Sequence, residues 1–307
     1  MVCLAAGCAD KGAESPGPSA ATMTPAEARA AIAELQETRG VKPKPPQPVT
    51  STEALLDIIL RDDIDRFEDA ARFLEGKAGV DALTWSATLE LLWCEAYGTV
   101  ALVAREMGRR ADAEAARLHD KQAAGREFTT RDKELLARAT EDVAFQAKAE
   151  AALGVLAREH LAAGSDFARE ALRQFPGDER TLRVAAFYYL STGMWGRYDE
   201  VMAAIAGDQT DDAALLFLRA LESEKRNGDR GAARRHLAHA LAVNPHLVRA
   251  QAKLVLLQDD VAGSYAQLQK LEALSPGHPV VRITGPSIKS EYELGQSFDR
   301  ARGKTLP

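Results

Sequence analysis

The sequence predicts an all-α protein, an α-solenoid of antiparallel helix pairs, and three observations carry that prediction. From Ser51 onward, apolar residues recur at helical spacing almost without interruption. Aromatic residues make up only 6% of the chain while alanine is abundant, which suits closely packed helices rather than sheets. In the second half, helix-terminating prolines return at a spacing near one or two units of 34 residues. Strand signals are nearly absent, and only residues 280–283 read as weakly extended.

Composition limits the function classes. A chain of 307 residues with 46% hydrophobic and 27% charged residues can bury a real core, which excludes wholesale disorder. The net charge of −6 argues against a nucleic-acid partner, which would usually call for a basic excess. No stretch reaches the roughly 18 consecutive apolar residues of a membrane-spanning helix.

Residues 1–50 read as a truncated lipoprotein signal and an Ala/Pro-rich tether. The cysteines, Cys3, Cys8 and Cys94, are too few for a disulfide framework, and Cys94 sits in an apolar helical run as a core residue. Leu4-Ala5-Ala6-Gly7-Cys8 resembles a bacterial lipobox, which makes Cys8 the expected site of lipid attachment. The apolar run before it covers only residues 2–6 and carries no Lys or Arg, so either the start lies upstream or the match is chance. Ala9 stands where a retention aspartate would hold an enteric lipoprotein at the inner membrane. The expectation is therefore a periplasmic protein lipid-anchored to the outer membrane, the alternative being a cytoplasmic one. Thr24 as N-cap, Pro25 at the first helical position and Gly40 as stop delimit a short helix. Residues 43–48 (Pro-Lys-Pro-Pro-Gln-Pro) form an extended spacer, the alternative being a proline-rich recognition motif.

Residues 51–139 read as degenerate N-terminal helical repeats. Ser51 or Thr52 caps a helix carrying Leu55, Leu56, Ile59 and Leu60. Ile64, Phe67, Ala71 and Leu74 form one buried stripe on the next. A third helix over residues 81–107 aligns Trp85, Leu89, Leu92, Ala96, Val100 and Val103, is stopped at Gly108, and returns over residues 109–124 to Gly125. Thr129 or Thr130 then caps a long helix reaching about Ala163 and broken at Gly164.

Residues 140–280 carry the periodicity. The clearest unit, residues 214–247, has a helix, an Asn227-Gly228-Asp229 turn, a second helix and a terminal Asn244-Pro245. Ala233 and Ala240 are small and Leu237 between them is large, as two closely approaching helices require. Pro176 lies 69 residues earlier, and Pro279 lies 34 later, with Pro276 an equal terminator. Gly196-Arg197-Tyr198-Asp199-Glu200-Val201 supplies another turn and helix entry. The pattern resembles the tetratricopeptide repeat, with Glu224 and Leu221 departing from its usual residue types. The resemblance implies a right-handed superhelix of about four units, followed by a C-terminal tail over residues 281–307.

Chemistry-bearing motifs are weak. His236 and His239 share a helix face with His246 beyond the turn, but Arg234 and Arg235 would repel a cation, so no metal is expected. Gly303-Lys304-Thr305 lacks both the upstream glycine and the following helix of a phosphate loop. Aspartates 62, 63 and 65 fit a helix N-terminus better than a calcium loop. No nucleophile is paired with a base, so neither catalysis nor a cofactor is expected.

What the tetratricopeptide resemblance implies is a concave groove lined by the first helix of each pair. Its positions map to Arg183, Phe187, Arg219, Glu222, Lys225, Arg226 and Gln251. Leu218 stands where a chaperone-tail clamp has lysine, so the expected ligand is instead an acidic-aromatic or carboxylate-bearing peptide. The implied function is a non-catalytic scaffold or adaptor for a protein or peptide partner at the bacterial cell envelope. The alternative is a lipid-anchored, oligomeric solute-handling component of a tripartite periplasmic transporter, with an apolar ligand channel.

Overall fold

The computed structural model describes residues 23–38, 47–61, 63–205 and 211–301. Cys8 and its lipobox-like segment, most of the tether, Asp62, and the glycine–lysine–threonine stretch near the C-terminus lie outside the described residues. Those described are helical, with no strand among them.

Helix α1 (Pro25–Thr38) opens with the Thr24 cap expected, its hydroxyl receiving the Glu27 N–H. Helix α2 (Thr52–Arg61) and a 3-10 turn (Ile64–Arg66) lead into α3 (Phe67–Leu74). Two very long helices follow, α4 (Val80–Ala123) of 44 residues and α5 (Thr130–Gln174) of 45, each about 66 Å long at the helical rise. They pack along one another across the turn at Gly125, whose φ of +64° closes α4. Thr129 is the cap of α5: its Oγ1 accepts from the Asp132 N–H, while Asp132 accepts from the Thr129 N–H at 2.8 Å and from Lys121.

Here the sequence reading needs two corrections. Gly108 does not end a helix, and Gly164 does not break one; both lie inside unbroken helices. A Cβ on Gly164 would fall 3.0 Å from Leu91 Cγ and 3.1 Å from Glu90 Cβ, and one on Gly108 would fall 3.4 Å from Gln146 Cβ. At Gly164 the missing side chain lets α4 pack closely, which offsets the interior-glycine penalty, whereas Gly108 leaves only ordinary contact.

Three helix pairs follow among the described residues: α6 (Glu179–Thr192) with α7 (Trp195–Ile205), α8 (Ala213–Lys225) with α9 (Arg230–Val243), and α10 (Val248–Leu257) with α11 (Val261–Leu274). Aspartates cap most of them: Asp178, Asp212, Asp229 and Asp260 each accept from backbone N–H groups of the first turn. Left-handed Gly193 and Gly228, at φ +70° and +65°, make two of the turns. Pro176, Pro245 and Pro276 each sit two residues past a helix end, so Pro276 rather than Pro279 terminates the last pair. The first supposed unit, ending at Pro176, is not a helix pair, because its residues are the second half of α5. The 139/140 boundary likewise falls within α5.

Residues 280–283 are not extended. Val280–Thr284 forms a π turn that opens α12 (Gly285–Ala301). With no strand edge nearby, the turn closes its own hydrogen bonds: the Val281 and Arg282 N–H groups donate to His278 O, and Thr284 Oγ1 donates to Val280 O.

One core runs from α2 and α3 through α4 into the pairs, joining Leu55, Phe67, Leu92, Phe187, Phe217 and Leu254. The N-terminal helices therefore pack continuously with the repeats. By length and composition α4 would suffice to cross a membrane, although it lacks a long uninterrupted apolar run. Half of its most apolar window is buried within the fold, against α3, α5 and α6.

Candidate functional site

One buried acidic side chain of α4 is tied to two of the later helices. Glu95, in the middle of α4, reaches both neighbouring first helices: Lys225 Nζ of α8 lies 2.5 Å from Oε2, and Lys253 Nζ of α10 lies 2.8 Å from Oε1. Glu224 completes the set at 2.9 Å from Lys253, and Thr99 Oγ1 donates to Glu95. Burial opposes the charge on Glu95, but the two lysines outweigh it and hold its carboxyl down to about 2. Burial likewise opposes the charge on Lys253, and Glu95 with Glu224 keeps it well above the ordinary lysine range. Beside them a small cavity of about 30 Å3 is walled by Phe67, Leu92, Phe217, Lys253 and His278. The Cys94 thiol is pushed up to about 12, by burial first, which makes it unreactive.

The seven expected groove residues fare accordingly. Phe187 and Gln251 are buried, the latter donating to Gln267. Lys225 is engaged by Glu95. Arg183 bridges Glu179 and Asp212, and Arg226 bridges Asp199 and Glu222 while lying over the Trp195 ring. Glu222 also accepts from the Tyr198 hydroxyl. Arg219 is half-buried near His236, whose imidazole is held below its ordinary value by burial and then by Arg219 and Arg235. Six of the seven are engaged within the fold, and Arg219 stands half-buried. No group of three or more metal-ligating side chains is gathered among the described residues.

An open cleft lies elsewhere, between α1, α3, α4 and α5, with a volume of about 290 Å3. Glu90, Trp93 and Tyr97 project from α4 at helical spacing, and Leu156, Glu159, His160 and Ala163 face them from α5. Arg29 of α1 and Glu68 of α3 complete the rim. His160 stacks on Trp93 with ring centroids 4.4 Å apart and lies 5.6 Å from Tyr97. Its Nδ1 is 2.7 Å from Glu90 Oε2, a contact that orients the ring. Arg29 pairs with Glu159 at 2.7 Å. The Trp93 side chain is almost wholly buried, yet its Nε1–H has no acceptor. An oriented imidazole has the makings of a general base, but no Ser, Thr or Cys lines the cleft to be activated by it. The lining also differs from an apolar solute channel, since it carries Glu68, Glu90 and Glu159.

The cleft is absent from the sequence reading. Its signal was Glu90-x-x-Trp93-x-x-x-Tyr97, a polar-aromatic stripe on one face of an apolar helix, with His160 70 residues away. No family model, curated protein or solved structure matches this chain.

Proposed function

We propose that this chain is a non-catalytic adaptor, a tetratricopeptide-like right-handed solenoid that binds a protein partner at the bacterial cell envelope. The observation that supports it is the seat of α4. Apolar packing and one buried carboxylate between Lys225 and Lys253 hold a helix against the first helices of successive pairs. That is the chemistry by which helical repeats bind proteins, used here on the chain's own helix. On this reading the partner meets outer surfaces such as the α1–α4–α5 cleft. Lipid on Cys8 and the proline-rich tether place the array at the periplasmic face of the outer membrane.

The test is site-directed photocrosslinking of the full chain expressed in its native host. A crosslinking residue is placed in turn at exposed Leu60, Leu102 and Met194, and the peptide containing Cys8 is analysed for lipid. A discrete adduct to one protein at some positions and not others is expected, together with lipid on Cys8. A chain that forms no adduct at any position and elutes alone as a defined oligomer would overturn the adaptor reading. It would favour the solute-handling alternative instead.

A further inference from the structure

We infer that Arg219 and His236 form a subsite for one acidic side chain of the protein partner, whose carboxylate spans the guanidinium and the imidazole across the α8–α9 pair. This rests on the adaptor reading above and names a chemistry that the partner must carry.

Arg219, Glu222 and Arg226 recur at helical spacing on the face of α8 that meets α7. Arg226 takes the carboxylates of Asp199 at 2.7 Å and Glu222 at 3.2 Å, and Glu222 also accepts from the Tyr198 hydroxyl. The acids beside Arg219 are therefore already engaged, and Asp211, just before α8, lies 3.5 Å from His239 instead. Two other half-buried arginines, Arg183 and Arg234, meet Asp212 and Asp259. The Arg219 guanidinium, by contrast, makes no hydrogen bond or ion pair among the described residues. His236 stands at the same height, since Arg219 lies two turns before the α8–α9 bend and His236 two turns after it. The charged groups acting on this imidazole are Arg219 and Glu222 from α8 and Arg235 and His239 from α9, and of these only Glu222 favours its protonation. An anion placed here would satisfy the free guanidinium and offset the cations around the ring. One guanidinium fork beside one imidazole matches the two oxygens of a carboxylate. A phosphate dianion would be repelled more strongly by Glu222 and Asp199.

The full-length protein is titrated with Nα-acetyl-glutamate-N-methylamide, its glutamine isostere, inorganic phosphate and a hexapeptide carrying one glutamate. The His236 imidazole resonance, assigned through His236→Asn, reports binding. The glutamate diamide and the hexapeptide should shift that resonance and bind at least about tenfold more tightly than the glutamine isostere, a difference that only charge explains. A bound carboxylate favours the protonated ring, so affinity should rise about threefold or more from about pH 8 to about pH 6, where the ligand itself stays ionised. His236→Asn should abolish that pH dependence, and His239→Asn should keep it. Arg219→Gln, checked by circular dichroism for intact folding, should remove binding. Arg219→Lys, which keeps the charge but loses the fork, should weaken it about threefold or more. Equal binding of the glutamine isostere, or no response of His236 to any carboxylate, overturns the subsite. Tighter binding of phosphate than of the glutamate diamide overturns the carboxylate assignment in favour of a phosphorylated ligand. A pH dependence that survives His236→Asn overturns the role of the imidazole. Crosslinking of a partner without carboxylate binding would sink this subsite only. Carboxylate binding without a partner would sink the adaptor reading only.

Discussion

Glu95 Oε1 and Lys253 Nζ lie 2.8 Å apart, each side chain no more than 10% exposed, and join the long helix α4 to α10. Lys225 approaches the other carboxylate oxygen, so one acidic residue ties α4 to two successive helix pairs. A buried pair adds little net stability over a well-packed apolar substitute, but breaking it strands a charge. Glu95→Ala should therefore cost about 3 kcal/mol, since Lys253 keeps only Glu224 while Lys225 can turn to solvent. Joint replacement of Glu95 and Lys253 by methionine should recover most of that loss. Urea unfolding of the single and double variants checks both; equal losses in the two would show that packing, not charge, holds α4 there.

The two glycines of the long hairpin should respond differently to alanine. At Gly164 the new methyl would press on Leu91 Cγ at 3.0 Å, and Leu91 is itself fully buried, so overpacking should cost about 1–3 kcal/mol. At Gly108 the nearest atom is Gln146 Cβ at 3.4 Å, close to ordinary contact. There the gain in helix propensity, up to about 1 kcal/mol, should make the substitution neutral or stabilising. Thermal melts of both variants decide it, and a loss of similar size at Gly108 would mean the helices cannot part even slightly.

The acid limb of stability should carry two buried groups in sequence. Burial pushes His278 down to about 3 from its ordinary 6.5. The cavity it lines also holds the cations Lys253 and Arg249, together with Glu95. Its Nδ1 accepts from the Val280 N–H at 3.2 Å, which requires the unprotonated ring. Between those two values the unfolded chain binds more protons than the folded one, so stability is full above about 6.5 and falls as pH drops toward 3. Glu95 adds a second loss as pH falls from 4.5 toward 2, where its native carboxylate is protonated. His278→Asn keeps an acceptor for Val280 but does not titrate. It should flatten the decline between about 6.5 and 4.5 and leave the steeper acid fall intact. Urea midpoints measured across that range test this, and an unchanged slope in the variant would exclude His278 as its cause.

How much of this was legible in the sequence follows from the range of the interactions. The pairs α8–α9 and α10–α11 announce themselves through local chemistry: an aspartate cap, a turn and a terminal proline within a few residues. Thr24 and Thr129 were readable as caps for the same reason. Gly108 and Gly164 were misread because a glycine that stops a helix and one that admits a neighbouring helix look alike in one dimension. Nothing local reveals that Glu95 of α4, more than a hundred residues earlier, pairs with Lys225 and Lys253. The cleft was invisible for that reason too, since Glu90 and His160 meet only when α4 and α5 fold together.

Two glycines with open space around them should move stability in opposite directions, separating backbone strain from packing. A Cβ at Gly228 meets nothing within 4 Å, but the residue holds φ at +65° in the turn between α8 and α9. Gly228→Ala should therefore cost about 1 kcal/mol through backbone strain alone, and Gly228→Asn less, because asparagine tolerates the left-handed region. Gly196 also has open space, yet it lies in the first turn of α7 without a left-handed φ. Alanine there narrows the unfolded ensemble and raises helix propensity, so Gly196→Ala should stabilise by about 0.5–1 kcal/mol. Denaturant midpoints of the three variants settle the comparison. A destabilising Gly196→Ala would show that this glycine serves as a hinge between α6 and α7 rather than as an ordinary helical position.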